Sequence, residues 1–211
     1  LANRFGFTLE EFDKLMSTIK TTPFLDAYVE KTEKNLDTGK LTSIKLNMFA
    51  KLPNVVKVEV LESSSGTTGA KILYNSGEGN KAKIRPGSAM SFITTELPKA
   101  DERLTSTNGY VIDNTDFFGA ARRLSDGTYS AELVGKTTIE GKNIHVLKIT
   151  TSGSNSFDPR IGHEYFGYEP DTHKLRLWEI YSKADPKTPY IRMVLKKLDF
   201  PASLPDKTFS L

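Results

Sequence analysis

Thr128–Thr151 reads TYSAELVGKTTIEGKNIHVLKITT. Tyr129, Ala131, Leu133 and Gly135 alternate with Ser130, Glu132, Val134 and Lys136. Beyond Ile139-Glu140-Gly141-Lys142, Ile144 and Val146 alternate with His145, Leu147 and Ile149. Period-two alternation on both sides of a Gly-bearing turn predicts a β-hairpin. The same format recurs on either side of it. Phe24 to Lys34, Leu41 to Lys51, Val55 to Glu62, Ala70 to Asn75 and Lys81 to Arg85 precede it. Ile161 to Glu169, Lys174 to Ser182 and Tyr190 to Phe200 follow it. Each run has an apolar and a polar side, as an antiparallel sheet with one wet face requires.

Two segments break the rhythm. Leu9, Phe12, Leu15, Met16 and Ile19 recur at helical spacing. Thr8-Leu9-Glu10-Glu11 has the capping-box pattern, Phe5 or Phe7 can staple the entry, and Pro23 closes the segment. The expectation is an amphipathic helix over Leu9 to Lys20. In the middle, Asp116 to Leu124 (DFFGAARRL) reads as a short helix capped by Asn114 or Thr115, with Arg122 and Arg123 complementing its carboxyl end. Gly119 inside it predicts a close backbone approach, since glycine otherwise costs up to about 1 kcal/mol there. Pro86 to Thr107, with Met90, Phe92, Ile93 and Leu97, reads as a strand plus a lid-like loop. The tail Pro201 to Leu211 is expected along a sheet edge, where missing donors do least harm.

About ten strands and two helices follow. A sheet of that width curls as its twist accumulates. The expected fold is mainly β (α+β): a strongly curved antiparallel sheet forming an open, half-closed barrel, with an N-terminal and a mid-chain helix on the concave side. A β-sandwich is the alternative. The 211 residues show no linker, tract or repeat, so the expectation is a single domain over 1–211. A domain of that size buries roughly 70% of its unfolded surface.

Composition excludes several roles. Twenty-nine Lys+Arg against 26 Asp+Glu leave a formal charge of +3, well mixed along the chain, which argues against nucleic acid as a partner. Without Cys there is neither a disulfide framework nor thiolate chemistry. No apolar run approaches a membrane span. A chain that opens on Leu1 implies a removed leader or a trimmed start. Gly77-Glu78-Gly79-Asn80-Lys81 lacks phosphate-loop spacing and reads as a hairpin turn. His145, His163 and His173 show no zinc-ligand spacing and read as structural or surface residues, and no G-x-S-x-G elbow exists. No metal, cofactor or catalytic residue is called for. A triad of distant residues stays open, and a hydrolase would need His145 or His163 to meet a carboxylate and a nucleophile. Lys81, Lys83 and Arg85, with Lys71, read as a solvated basic face. The aromatics Phe92, Phe117, Phe118, Phe166, Tyr168, Trp178 and Tyr181 either fill the core or line a cavity suited to acyl chains.

Several stretches together are similar to the lipoprotein-carrier superfamily of bacterial envelopes. They are Ala70-Lys71-Ile72-Leu73-Tyr74 before a Gly-rich turn, Asp116-Phe117-Phe118-Gly119-Ala120, and the Tyr129 to Ile149 hairpin. Further on come Glu169-Pro170-Asp171-Thr172-His173-Lys174-Leu175-Arg176, and the ending Asp199-Phe200 to Leu204-Pro205-Asp206-Lys207-Thr208-Phe209. The resemblance implies a non-enzymatic protein of the bacterial periplasm or the periplasmic face of the outer membrane. It implies a lipid or an acylated protein as partner, peripheral contact with a membrane, and acyl chains held between sheet and helices. The rival readings are an envelope sensor or scaffold that binds a protein partner and, further off, a hydrolase.

Overall fold

In a computed structural model of the protein, residues 2–87 and 91–211 are described, with side chains from Glu10 onward. Eleven strands form one antiparallel sheet in the order β6-β5-β4-β3-β2-β1-β11-β10-β9-β8-β7. They are β1 Phe24–Lys34, β2 Leu41–Lys51, β3 Val55–Ser63, β4 Lys71–Asn75, β5 Lys81–Arg85 and β6 Thr95–Pro98. The second half contributes β7 Tyr129–Ile139, β8 Lys142–Thr151, β9 Ile161–Tyr168, β10 Leu175–Ser182 and β11 Pro189–Asp199. The outermost strands β6 and β7 do not pair, so the barrel stays open. The predicted hairpin at Thr128–Thr151 is present. Glu140 and Gly141 turn it with φ of 50° and 77°, the left-handed pair that a two-residue type I′ turn needs.

Among the described residues, three helices cover one face. The first, α1 (Ala2–Thr21), is helical well before Leu9. The capping-box reading at Thr8 therefore gives way: a hydroxyl and a carboxylate three residues apart also sit comfortably inside a helix. The side chains of Phe5, Phe7 and Thr8 lie outside the described residues, as does Met90. The mid-chain helix is preceded by a single turn, α2 (Ile112–Thr115), that holds Asn114 and Thr115. Asp116 is the actual cap of α3 (Phe117–Leu124), its carboxylate accepting from the Gly119 amide at 2.7 Å. The tail does not follow an edge. It ends in a 3₁₀ turn at Asp206–Phe209 that packs on β3, with Phe209 6.3 Å from Phe24 between ring centres. Crossing a face asks for no ladder bonds at all, which suits prolines as well as an edge does.

Register decides which side chains reach the helices. Ala131, Ile149, Glu164, Ile180, Ile191 and Glu33 are successive cross-strand partners and share the concave face. So do Leu133, Leu147, Phe166, Trp178, Met193 and Lys31. The opposite face carries Lys148, Tyr165, Glu179 and Arg192, together with Lys71 and Arg85 farther along. Gly119 has the close approach its position predicts. A Cβ there would lie 1.9 Å from the Asp113 carbonyl oxygen. Gly119→Ala should therefore cost about 1–3 kcal/mol through forced backbone movement, read as a lowered urea midpoint at unchanged slope.

Candidate functional site

The concave face holds two helices by different means. α3 is tied down by buried polar groups. Arg123 donates two bonds of 2.8 Å to Glu164, side chains that are 8% and 1% exposed. Trp178 Nε1 donates to the same carboxylate at 3.0 Å. The guanidinium lies 5.0, 5.4 and 5.7 Å from the rings of Phe157, Tyr129 and Trp178. Although burial alone would lower it, bonding to Glu164 raises the Arg123 pKa above its ordinary value. At the other end of α3, Asp116 accepts from Tyr74 at 2.9 Å and Ser76 at 3.0 Å.

α1 is held mainly by oil. Phe12, Leu15, Met16 and Ile19 are all buried. They lie on a helical stripe that faces the sheet. Leu15, Met16 and Ile19 meet Phe166, Leu175, Leu198 and Phe200 along a seam. Phe12 stands 6.3 Å from Phe166. Polar ties on the described part of α1 are few. Glu11 meets His173 Nε2 at 2.8 Å, and Lys20 donates to Ser125 at 2.7 Å on the surface. His173 belongs to the β9–β10 turn and has φ of 55°.

Among the described residues, the seam between α1 and the sheet is nearly filled. The gap left along the seam is about 10 Å³, room for at most one water. Small-molecule pockets run to roughly 300–1,000 Å³. A larger indentation of about 180 Å³ lies elsewhere, lined by Glu30, Lys45, Glu62 and Arg192 together with Ile44 and Val194.

The aromatics singled out from sequence divide accordingly. Phe166, Tyr168 and Trp178 sit together on the concave face, and Phe117 and Phe118 are buried in α3. Phe92 is 79% exposed on the loop before β6. Tyr181 points to the opposite face, where its ring stacks on His163 at 4.7 Å and meets Tyr165 edge-on at 5.3 Å. Period two separates Tyr181 from Trp178, a parity that was readable. Sequence reasoning missed Glu11 and His173, which lie 162 positions apart. His145 packs edge-on against Tyr168 at 5.9 Å. No group of three metal-ligating side chains occurs among the described residues.

Beside His173, burial by itself would push the Glu169 carboxyl up. Bonds from Lys142, Thr172 and Arg176 outweigh it and hold the group down at about 2, against the usual 4.5. A folded value below the unfolded one means stability that is complete above about pH 4.5 and is lost as pH falls toward 2. Urea midpoints measured through that window should fall less steeply for Glu169→Gln than for the native chain.

No protein-family model and no curated protein matches the sequence. Solved structures do match. The fold superimposes on MucB with a TM-score of 0.58 at 14% identity, over 98% of this chain and 63% of that one. An uncharacterized conserved protein from Thermus thermophilus gives 0.55 at 8% identity, over 96% and 92%. The Mycobacterium tuberculosis lipoprotein LppX gives 0.54 at 14% identity, over 95% and 99%. At these identities the likeness is one of fold alone.

Proposed function

We propose that the protein binds a lipid, or the lipid anchor of an acylated protein, as a non-enzymatic carrier in the bacterial envelope. The acyl chain enters the seam by displacing α1. The observation that carries this reading is the contrast between the helices: α3 is anchored by a buried ion pair, and α1, over its described side chains from Glu10 on, by an apolar stripe with few polar ties. Exposing Phe12, Leu15, Met16 and Ile19 costs roughly 6–12 kcal/mol at about 1.5–3 kcal/mol per side chain. A chain of about fourteen methylenes gains roughly 11 kcal/mol in the same place at about 0.8 kcal/mol each. The two occupants are near balance, as exchange requires. Phe166, Tyr168 and Trp178 on the sheet, and Phe117 and Phe118 from α3, are the aromatic walls in this reading. The fold shared with the lipoprotein LppX supports it.

The test is native mass spectrometry after mild extraction, with fluorescent fatty-acid uptake on the delipidated chain. Co-purified lipid or saturable uptake is expected. Neither, in the native chain and in Leu15→Ala, would remove the proposal.

A second reading draws on the stacked His163, Tyr165 and Tyr181 on the other face. Aromatic groups of this kind are enriched at protein interfaces, and MucB has been solved in complex with MucA. A protein partner whose binding falls with Tyr181→Ala, while acyl uptake stays the same, would place the working surface there.

A further inference from the structure

The apolar seam ends in a polar notch. His173 lines the seam beside Leu175 and Phe166, and its Nε2 meets the Glu11 carboxylate at 2.8 Å. The Tyr168 ring is nearly parallel to His173, 6.1 Å away, and His145 meets Tyr168 edge-on at 5.9 Å. Burial, then the charge of nearby Glu11, push the Tyr168 phenol up to about 12. Glu11, 14% exposed, thus places its carboxylate against an imidazole at the end of an oily seam, with the Tyr168 ring stacked beside that imidazole. Lys14 of α1 stands 3.7 Å from the same carboxylate. The neighbouring acid Glu169 is engaged by Lys142, Thr172 and Arg176.

When α1 lifts, Leu15, Met16, Ile19 and Glu11 leave together. They vacate an apolar channel and, at its end, the His173 imidazole that Glu11 had engaged, with the Tyr168 ring beside it. A donor that loses its acceptor is open to a replacement, and an ionised acceptor makes a stronger bond to it than a neutral one. Resting on the carrier reading above, the geometry points to a ligand with an anionic head on a single acyl chain. Its carboxylate or phosphate takes the place of Glu11 against His173 and Tyr168, and its chain takes the place of Leu15, Met16 and Ile19. The closed form carries an internal mimic of its ligand, charged group and oily stripe at matching ends.

Fluorescence titration of the delipidated full chain with cis-parinaric acid and its methyl ester tests this. The acid should bind at least about tenfold tighter than the ester, the scale of one charge-assisted bond over a neutral one. His173→Asn keeps a residue type that tolerates positive φ but shortens the reach. Combined with Tyr168→Phe, it should bring the acid down to the ester's affinity and leave the ester within about twofold. Lysophosphatidic acid should displace the bound acid, and inorganic phosphate should not. Displacement by phosphate alone would mean a free anion is the ligand, and would overturn the proposal. Equal binding of acid and ester to the native chain would overturn the head-group site and leave the carrier reading standing. No binding of either probe, to the native chain or to Glu11→Gln with its weakened tie, would overturn the carrier reading itself. If the double variant does not fold, the acid-to-ester ratio of the native chain still decides the head-group question.

Discussion

Arg123→Ala is expected to lower stability by about 3–5 kcal/mol, the penalty for leaving one member of a buried ion pair without its partner. For a chain of this size that is roughly 10–15 °C in the melting temperature. Glu164 would keep only the Trp178 donor in a site where its side chain is 1% exposed. The guanidinium's three aromatic neighbours would face a void. The same reasoning makes the pair a poor stabiliser in itself. Arg123→Met with Glu164→Leu should recover much of the loss, because two desolvated charges then disappear together and the volume is kept. The residue of the deficit belongs to the indole N–H of Trp178, left without an acceptor at a cost of about 1–3 kcal/mol. Chemical denaturation of the four proteins of this cycle supplies the coupling energy. A single Arg123→Ala change below about 1 kcal/mol would contradict the burial of the pair.

Ligand uptake is expected to depend steeply on chain length. Each methylene is worth about 0.8 kcal/mol, close to fourfold in affinity. Six more of them, from a roughly ten-carbon to a roughly sixteen-carbon chain, give about three orders of magnitude. The cost of lifting α1 sets where on that scale binding becomes measurable. A ten-carbon chain, with eight methylenes, returns roughly 6 kcal/mol, at the low end of that cost, and a sixteen-carbon chain, with fourteen, roughly 11. Fatty acids of palmitate length should therefore bind to the native chain and decanoate should not. Leu15→Ala removes about 2–5 kcal/mol of closing energy and should admit chains about three to six carbons shorter, at about 0.8 kcal/mol per carbon. Displacement titrations across a fatty-acid series read this directly. A flat response to length would mean that the seam does not take the chain.

The strands were legible because period-two alternation and turn chemistry are local. Glu140-Gly141 could be placed at the tip of its hairpin from neighbours alone. Gly119 could be read the same way, since an unfavourable residue inside a helix signals a tight contact nearby. The cap of α3 was one or two residues out, because Asn114, Thr115 and Asp116 can all do that work. Only the 40-residue reach to Ser76 and the 42-residue reach to Tyr74 settle on Asp116. Tyr181 was grouped with Trp178 for want of counting parity along β10, which sends the two to opposite faces. The closure of the hollow was not legible, because it depends on how deeply Leu15 and Met16 descend between Phe166 and Leu198. The Glu11–His173 contact was not legible either. Nothing local marks an acid on an N-terminal helix and an imidazole in a late turn as neighbours.

In the sheet order, every neighbouring pair of strands but one is consecutive in the chain. The exception is the ladder between β1 and β11, which pairs Asp26 with Asp199 and Glu33 with Ile191. Two meanders, β1 to β6 and β7 to β11, can thus each zip from short-range contacts before that single long-range ladder joins them. A backbone nick between β6 and β7 should leave two fragments that recombine along this line.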